Sequence, residues 1–228
     1  AILHRYIGMC DSCTCVVCRD QQLLDVELEG ISVSLASSSD LVKCSRLFVR
    51  DRFVVAESNQ SSYKDWSISV ELKRLEVLQS IYKSNVDDLK LLAELVEDTN
   101  CIGQAMAHLH EDLDFFVLGW LDGRTVRLLE MAKAYVLEKA SNSGVSWVRS
   151  VLNSDMLQQV GREHFVAGLP LGSEWPAVLG EIDPLLVRLY WESFDAFEIM
   201  DISSDDASEL VRQFIALGYG NKAIVLLS

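Results

Sequence analysis

Basic residues are scarce in this chain of 228 residues: 20 Lys and Arg stand against 34 Asp and Glu, a formal net charge of −14. A balance of that sign argues against a protein whose affinity comes from neutralising phosphates. It also argues against attraction to an anionic membrane surface. Long apolar runs are missing. The densest, Phe115 to Leu121, falls far short of the ~18–20 residues that span a bilayer. Proline occurs three times, at Pro170, Pro176 and Pro184, with none earlier in the chain. Local catalytic signatures are lacking too: no Gly-x-Ser-x-Gly elbow, no Walker loop, no His-Glu-x-x-His and no Gly-x-Gly-x-x-Gly after a strand. What is present is apolar material for a sizeable core, at 50% hydrophobic and 24% charged. That composition excludes a mostly disordered chain, and the length suits one domain or at most two.

The charge imbalance is uneven. Residues 1–70 hold 7 basic and 9 acidic side chains, whereas 71–228 hold 13 and 25. The first part reads as strand and loop. Leu24, Val26 and Leu28 alternate with polar residues, Glu29-Gly30 turns, and Ile31, Val33 and Leu35 alternate again, which is a hairpin pattern. A helical turn is expected from Asp40 to Cys44, then a strand pair at Leu47–Val49 and Phe53–Ala56. The polar stretch Glu57 to Asp65 marks the expected boundary. The expected fold is therefore mainly α: a bundle of seven or eight helices over 66–228, preceded by a small β-rich, cysteine-containing subdomain over 1–65.

From about Val70 the apolar period becomes helical. Leu72, Leu75, Leu78 (with Val77) and Ile81 form one stripe. Asn85 suits the cap of the next helix, with Leu89, Leu92, Leu95 and Val96 inside. A run from Ile102 to Leu121 follows, and Thr125 opens a helix that reaches the breaker Ser141-Asn142-Ser143-Gly144. Shorter helices are expected at Val145–Leu152 and Asp155–Ala167. Asp183-Pro184 reads as cap and first helical residue. In that helix Leu185, Leu186, Leu189, Phe194 and Phe197 make the expected buried stripe. A last helix opens near Ser203 or Ser204 and closes at Gly218. Gly218-Tyr219-Gly220-Asn221-Lys222 looks superficially like a phosphate loop, with no helix expected after it.

The most chemically specific feature is Cys10-x2-Cys13-x-Cys15-x2-Cys18. Thiolates are soft ligands, and a pair two residues apart grips one metal from a single tight turn. Zinc is the expected ion, completed from a distance by Cys44 or His4. A buried strand is the plain alternative, since free cysteine is among the most buried residue types. A redox dithiol at Cys10/Cys13 lacks a helix pattern behind it to lower the thiolate pKa. Cysteine usage and the want of a basic-then-apolar start over Ala1 to Cys18 lead to an intracellular expectation, cytoplasmic or nuclear, with no signal peptide. His108-Leu109-His110-Glu111-Asp112-Leu113-Asp114 pairs His108 with Asp112 and His110 with Asp114 if helical, which suits a solvated face better than a metal site.

Ten acidic residues fall between Glu174 and Glu209, against Arg188 alone, in a stretch that also carries Trp175, Tyr190, Trp191, Phe194 and Phe197. Trp191 sits at the edge of the apolar stripe, where it either finishes the core or anchors a partner. With Glu192, Asp195 and Glu198 it makes the candidate partner surface. Like charge speeds encounter with a basic protein and repels nucleic acid. The leading expectation is a non-enzymatic, regulatory protein-binding chain with an acidic helical surface and an N-terminal zinc site. The alternatives are a metal-dependent nucleic-acid-associated regulator, with Arg46, Arg50 and Arg52 touching phosphate, and an enzyme assembled from distant carboxylates and histidines.

Overall fold

The computed structural model describes residues 38–48, 60–109, 113–172, 174–193 and 204–227. Among these are eleven α-helices and no strand. The expected hairpin over 24–35 and the strand at 53–56 lie outside the described residues, as do His4, Cys10, Cys13, Cys15 and Cys18. The chain packs as two units, one up to Asp98 and one from Thr99 onward.

The first unit comprises α1 (Ser38–Ser45), a 3-10 turn (Arg46–Phe48), α2 (Gln60–Ser84) and α3 (Asp87–Leu95). Leu47 and Phe48, expected in a strand, instead form that turn and are buried. In α2 the buried stripe is Arg74, Val77, Leu78 and Ile81, while Leu72 is 62% exposed. The stripe is shifted from the expected one because a charged residue occupies its first position. The Nε–H of Arg74 donates to the carbonyl of Leu47 at 2.8 Å, and the guanidinium lies 5.9 Å from the Phe48 ring centroid while pairing with Glu71. A buried cation is tolerated when its donors are met, and here it ties the 3-10 turn to α2. The N-cap of α3 is Val86 rather than the expected Asn85, which sits one residue earlier and accepts the Asp87 N–H on its Oδ1 at 3.2 Å.

The second unit comprises α4 (Asn100–Ala107), α5 (Asp114–Gly119), a 3-10 turn (Trp120–Asp122), α6 (Val126–Leu152), α7 (Gln159–Ala167), α8 (Glu174–Ile182), α9 (Pro184–Ser193), α10 (Ser204–Ala216) and α11 (Gly220–Leu227). The expected run Ile102–Leu121 is broken, since α4 stops at Ala107. Helices α4 and α6 approach closely. A Cβ on Gly103 would lie 2.9 Å from the Ala134 Cβ and from the Tyr135 amide nitrogen, and closer still to the Met131 carbonyl oxygen. Helix α7 takes its cap from across the chain: Asp122 accepts the N–H of Gly161 at 2.8 Å and of Gln158 at 3.3 Å. Asp183 caps α9 as expected, accepting the Leu185 N–H at 2.9 Å. Helix α10 closes on Gly218 at φ 83°, with Tyr219 N–H bonded to Phe214 and Gly218 N–H to Ile215, the paired bonds of a Schellman end. Contrary to expectation, α11 follows at once, with Ala223 buried.

Candidate functional site

The break in α6 organises the site. The breaker at 141–144 interrupts the helical run as expected, and the two helical arms counted together as α6 meet there at a kink. At Gly144 the backbone turns to φ 68°, ψ −163°, where any side chain would be strained. Asp114, the first residue of α5, spans the two arms. Its Oδ1 accepts the Tyr135 hydroxyl at 2.7 Å before the break, and its Oδ2 accepts the Trp147 indole N–H at 2.8 Å after it. Trp147 meets Tyr135 edge-on at 6.5 Å and tilts over Phe165 of α7 at 5.5 Å.

Opposite the break, Tyr190 of α9 holds the segment that enters α8. Its hydroxyl accepts the Gly172 N–H at 2.9 Å and stands within donating distance of the carbonyls of Pro170 (3.0 Å) and Gly172 (3.1 Å). Burial pushes the pKa of this phenol up from its ordinary value, with the Glu174 charge adding to the effect against the Gly172 hydrogen bond. Between kink and segment lies a cavity of about 300 Å³, walled by Ala140, Val145, Pro170 and Leu171, with Ser141 and Gly144 on one side and Glu174 and Trp175 on the other. Trp175 is 2% exposed, and its buried indole N–H has no acceptor among the described residues. A Cβ on Gly172 would lie 2.5 Å from Oε2 of Glu174 and 2.8 Å from Nε1 of Trp175. The Glu174 carboxylate and the Trp175 indole thus fill the space that a side chain at residue 172 would need.

The candidate partner residues fall elsewhere on the unit. Trp191 is 3% exposed, edge-on to Tyr190 at 4.9 Å and to Phe214 of α10 at 6.2 Å, and so finishes the core. The buried side of α9 is Leu186, Tyr190 and Trp191, whereas Leu185, expected inside, is exposed. Glu192 stands at the surface. It accepts from Arg188 Nε at 2.8 Å and from the Tyr219 hydroxyl, while Lys222 Nζ donates to its backbone carbonyl at 2.8 Å. Tyr219 first, then Arg188, holds the Glu192 carboxyl below the usual carboxylate range. Asp195, Glu198, Phe194 and Phe197 lie outside the described residues.

Cys44 is buried in α1 beside Leu41. Among the described residues no three His, Cys, Asp or Glu side chains gather as metal ligands would. His108 pairs across to Glu138 of α6 at 3.0 Å, and His110, Glu111 and Asp112 lie outside the described residues. His164 donates from Nδ1 to the Leu121 carbonyl at 2.7 Å. The roles of Asp114, Asp122 and Trp175 had no signal in the local sequence, although the Ser-Asn-Ser-Gly breaker did mark where α6 bends. No helix among the described residues is long and apolar enough to cross a membrane. The chain matches no family model, and comparisons with curated proteins and with solved structures return no match.

Proposed function

We propose that this chain is a non-enzymatic interaction protein that offers an acidic helical surface to a basic protein partner, with a structural zinc site built by its N-terminal cysteines. The carboxylates of the second unit carry the reading. From Thr99 onward the sequence holds 18 acidic and 9 basic residues. Among the partly buried carboxylates Asp114 and Asp122 hold helices, while Glu174 faces solvent together with Glu181 and Glu192, which pair at the surface with Arg149 and Arg188. Surface carboxylates of one sign steer a basic partner and discriminate against wrong ones. Asp195 and Glu198 extend the same stretch in sequence. For the metal, the support is the spacing of Cys10, Cys13, Cys15 and Cys18, with Cys44 and His4 as further donors.

The test is an array of basic peptides with charge-matched scrambled controls, probed with the full chain purified under reducing conditions. Sequence-selective binding that weakens with salt and falls in the Glu192→Gln/Asp195→Asn/Glu198→Gln triple variant supports the reading. Scrambled peptides binding as well as their parents would refute it. Native mass measurement of the same material should show one zinc per chain, lost in a Cys10→Ser/Cys13→Ser or Cys15→Ser/Cys18→Ser variant. A metal-free chain with six free thiols would sink the zinc site.

A further inference from the structure

We infer that the corner at Gly218–Lys222 is an internal occupant of the acidic surface, holding Glu192 until a basic segment of the partner displaces it. The corner joins α10 to α11. Its Tyr219 hydroxyl donates to the Glu192 carboxylate, and its Lys222 ammonium donates to the Glu192 backbone carbonyl at 2.8 Å. That carbonyl lies in the last turn of α9, where helical donors run out and the helix dipole favours a cation. A hydroxyl and an ammonium converging on one acidic residue are what a basic ligand would bring. Here they come from 27 and 30 residues further along the same chain. Arg188 shares the carboxylate from within α9 at 2.8 Å and is common to the occupied and displaced states.

Two features make the corner displaceable while α10 stays in place. The first is that its apolar and polar holds are separate. Trp191 and Phe214 are buried edge-on at 6.2 Å and anchor α10 to α9, whereas Glu192 stands at the surface and Tyr219 is half-buried. An exposed polar pair of this kind shifts an equilibrium by about fivefold at most, so a ligand that brings several charges outcompetes it. The second is that the displaced lysine keeps favourable neighbours. Its ammonium lies 5.6 Å from the Phe214 ring centroid and 5.5 Å from that of Tyr219, contacts that stabilise a cation without Glu192. The inference rests on the reading of a basic partner and supplies its regulation, since the free chain competes with its own ligand.

The probe is acetyl-hexalysine amide, with its Nε-acetylated form as the uncharged counterpart. The readout in the full chain is the Tyr219 Cζ resonance, which senses the hydrogen bond of the hydroxyl. It is identified among six tyrosines as the signal missing in Tyr219→Phe. Hexalysine should move that signal to saturation, and the acetylated form should not. Tyr219→Phe removes one hold on Glu192 without changing charge, and should bind hexalysine about threefold to fivefold more tightly than the parent. Lys222→Gln should show a similar gain beyond that of Arg124→Gln, which removes the same charge from an exposed residue outside the corner. Hexalysine that binds without moving the Tyr219 signal, or that binds the parent and Tyr219→Phe alike, would overturn the occupancy and leave the acidic surface standing. Hexalysine failing to bind a chain that captures array peptides would overturn it too, because positive charge is all that displacement requires. Binding of neither hexalysine nor array peptides would remove the reading and the inference together.

Discussion

Gly103 and Gly119 are both helical glycines, and alanine substitution should affect them oppositely. In a helix interior alanine is favoured over glycine by about 0.8–1.0 kcal/mol, so from local chain energetics alone both changes stabilise. At Gly119 the end of α5 leaves nothing within 4 Å of a new Cβ, and Gly119→Ala should stabilise by a few tenths of a kcal/mol up to about 1 kcal/mol. At Gly103 the methyl would arrive 2.9 Å from the Ala134 Cβ and the Tyr135 nitrogen, and nearer to the Met131 carbonyl. Two of these three neighbours are backbone of a continuous helix and cannot swing aside. Helices α4 and α6 must part by about 1 Å, and gaps of that size forfeit a quarter to a half of each contact's dispersion energy. Overpacking of this kind costs about 1–3 kcal/mol, and rigid backbone neighbours place Gly103 at the upper end. Subtracting the helix advantage of about 1 kcal/mol leaves Gly103→Ala destabilising by about 2 kcal/mol. Urea unfolding followed by circular dichroism measures both variants on one scale. A Gly103→Ala chain as stable as the parent, or as Gly119→Ala, would refute the close α4–α6 approach.

Two further outcomes follow from the site. Asp114→Asn keeps one carbonyl acceptor but loses the charge and the second acceptor, so the bond to Tyr135 or to Trp147 fails. A loss of about 1–3 kcal/mol is expected, accompanied by a changed Trp147 fluorescence or indole resonance; an unchanged indole signal would argue against the strut across the kink. The Tyr190 phenol has a folded pKa raised above its ordinary value of about 10, so the unfolded chain releases that proton first as pH rises. Its contribution to stability is therefore full below about pH 10 and is lost progressively above it. Tyr190→Phe should flatten the alkaline decline while lowering stability near neutrality, and identical alkaline slopes in the two proteins would count against the buried phenol.

Features set within a few residues of backbone were legible in the amino-acid order. Asp183 before Pro184 and Gly218 after Ala216 occupy the caps their chemistry suits, and Asn85 bonds the first turn from one residue before its cap, because such bonds depend on donors and dihedrals only a turn away. The predominance of helix was legible for the same reason, since apolar period and capping are local. Other features needed partners brought from a distance. Leu72 is exposed and Arg74 buried because Leu47 and Phe48 come to meet the arginine from 27 and 26 residues earlier. The short, apolar helix Gly220–Leu227 is marginal alone and has α10 to pack against, so its period carried little warning. Trp191 could have faced either way until Phe214 and Tyr190 closed over it. Asp114 and Asp122 read as solvated charge. They become a strut and a cap only because α6 and α7 deliver N–H and O–H donors from 21 to 39 residues away. Sequence order determines which groups can bond nearby. Which buried donor meets which acceptor is decided by packing, where an unmet polar group costs more than any local preference repays.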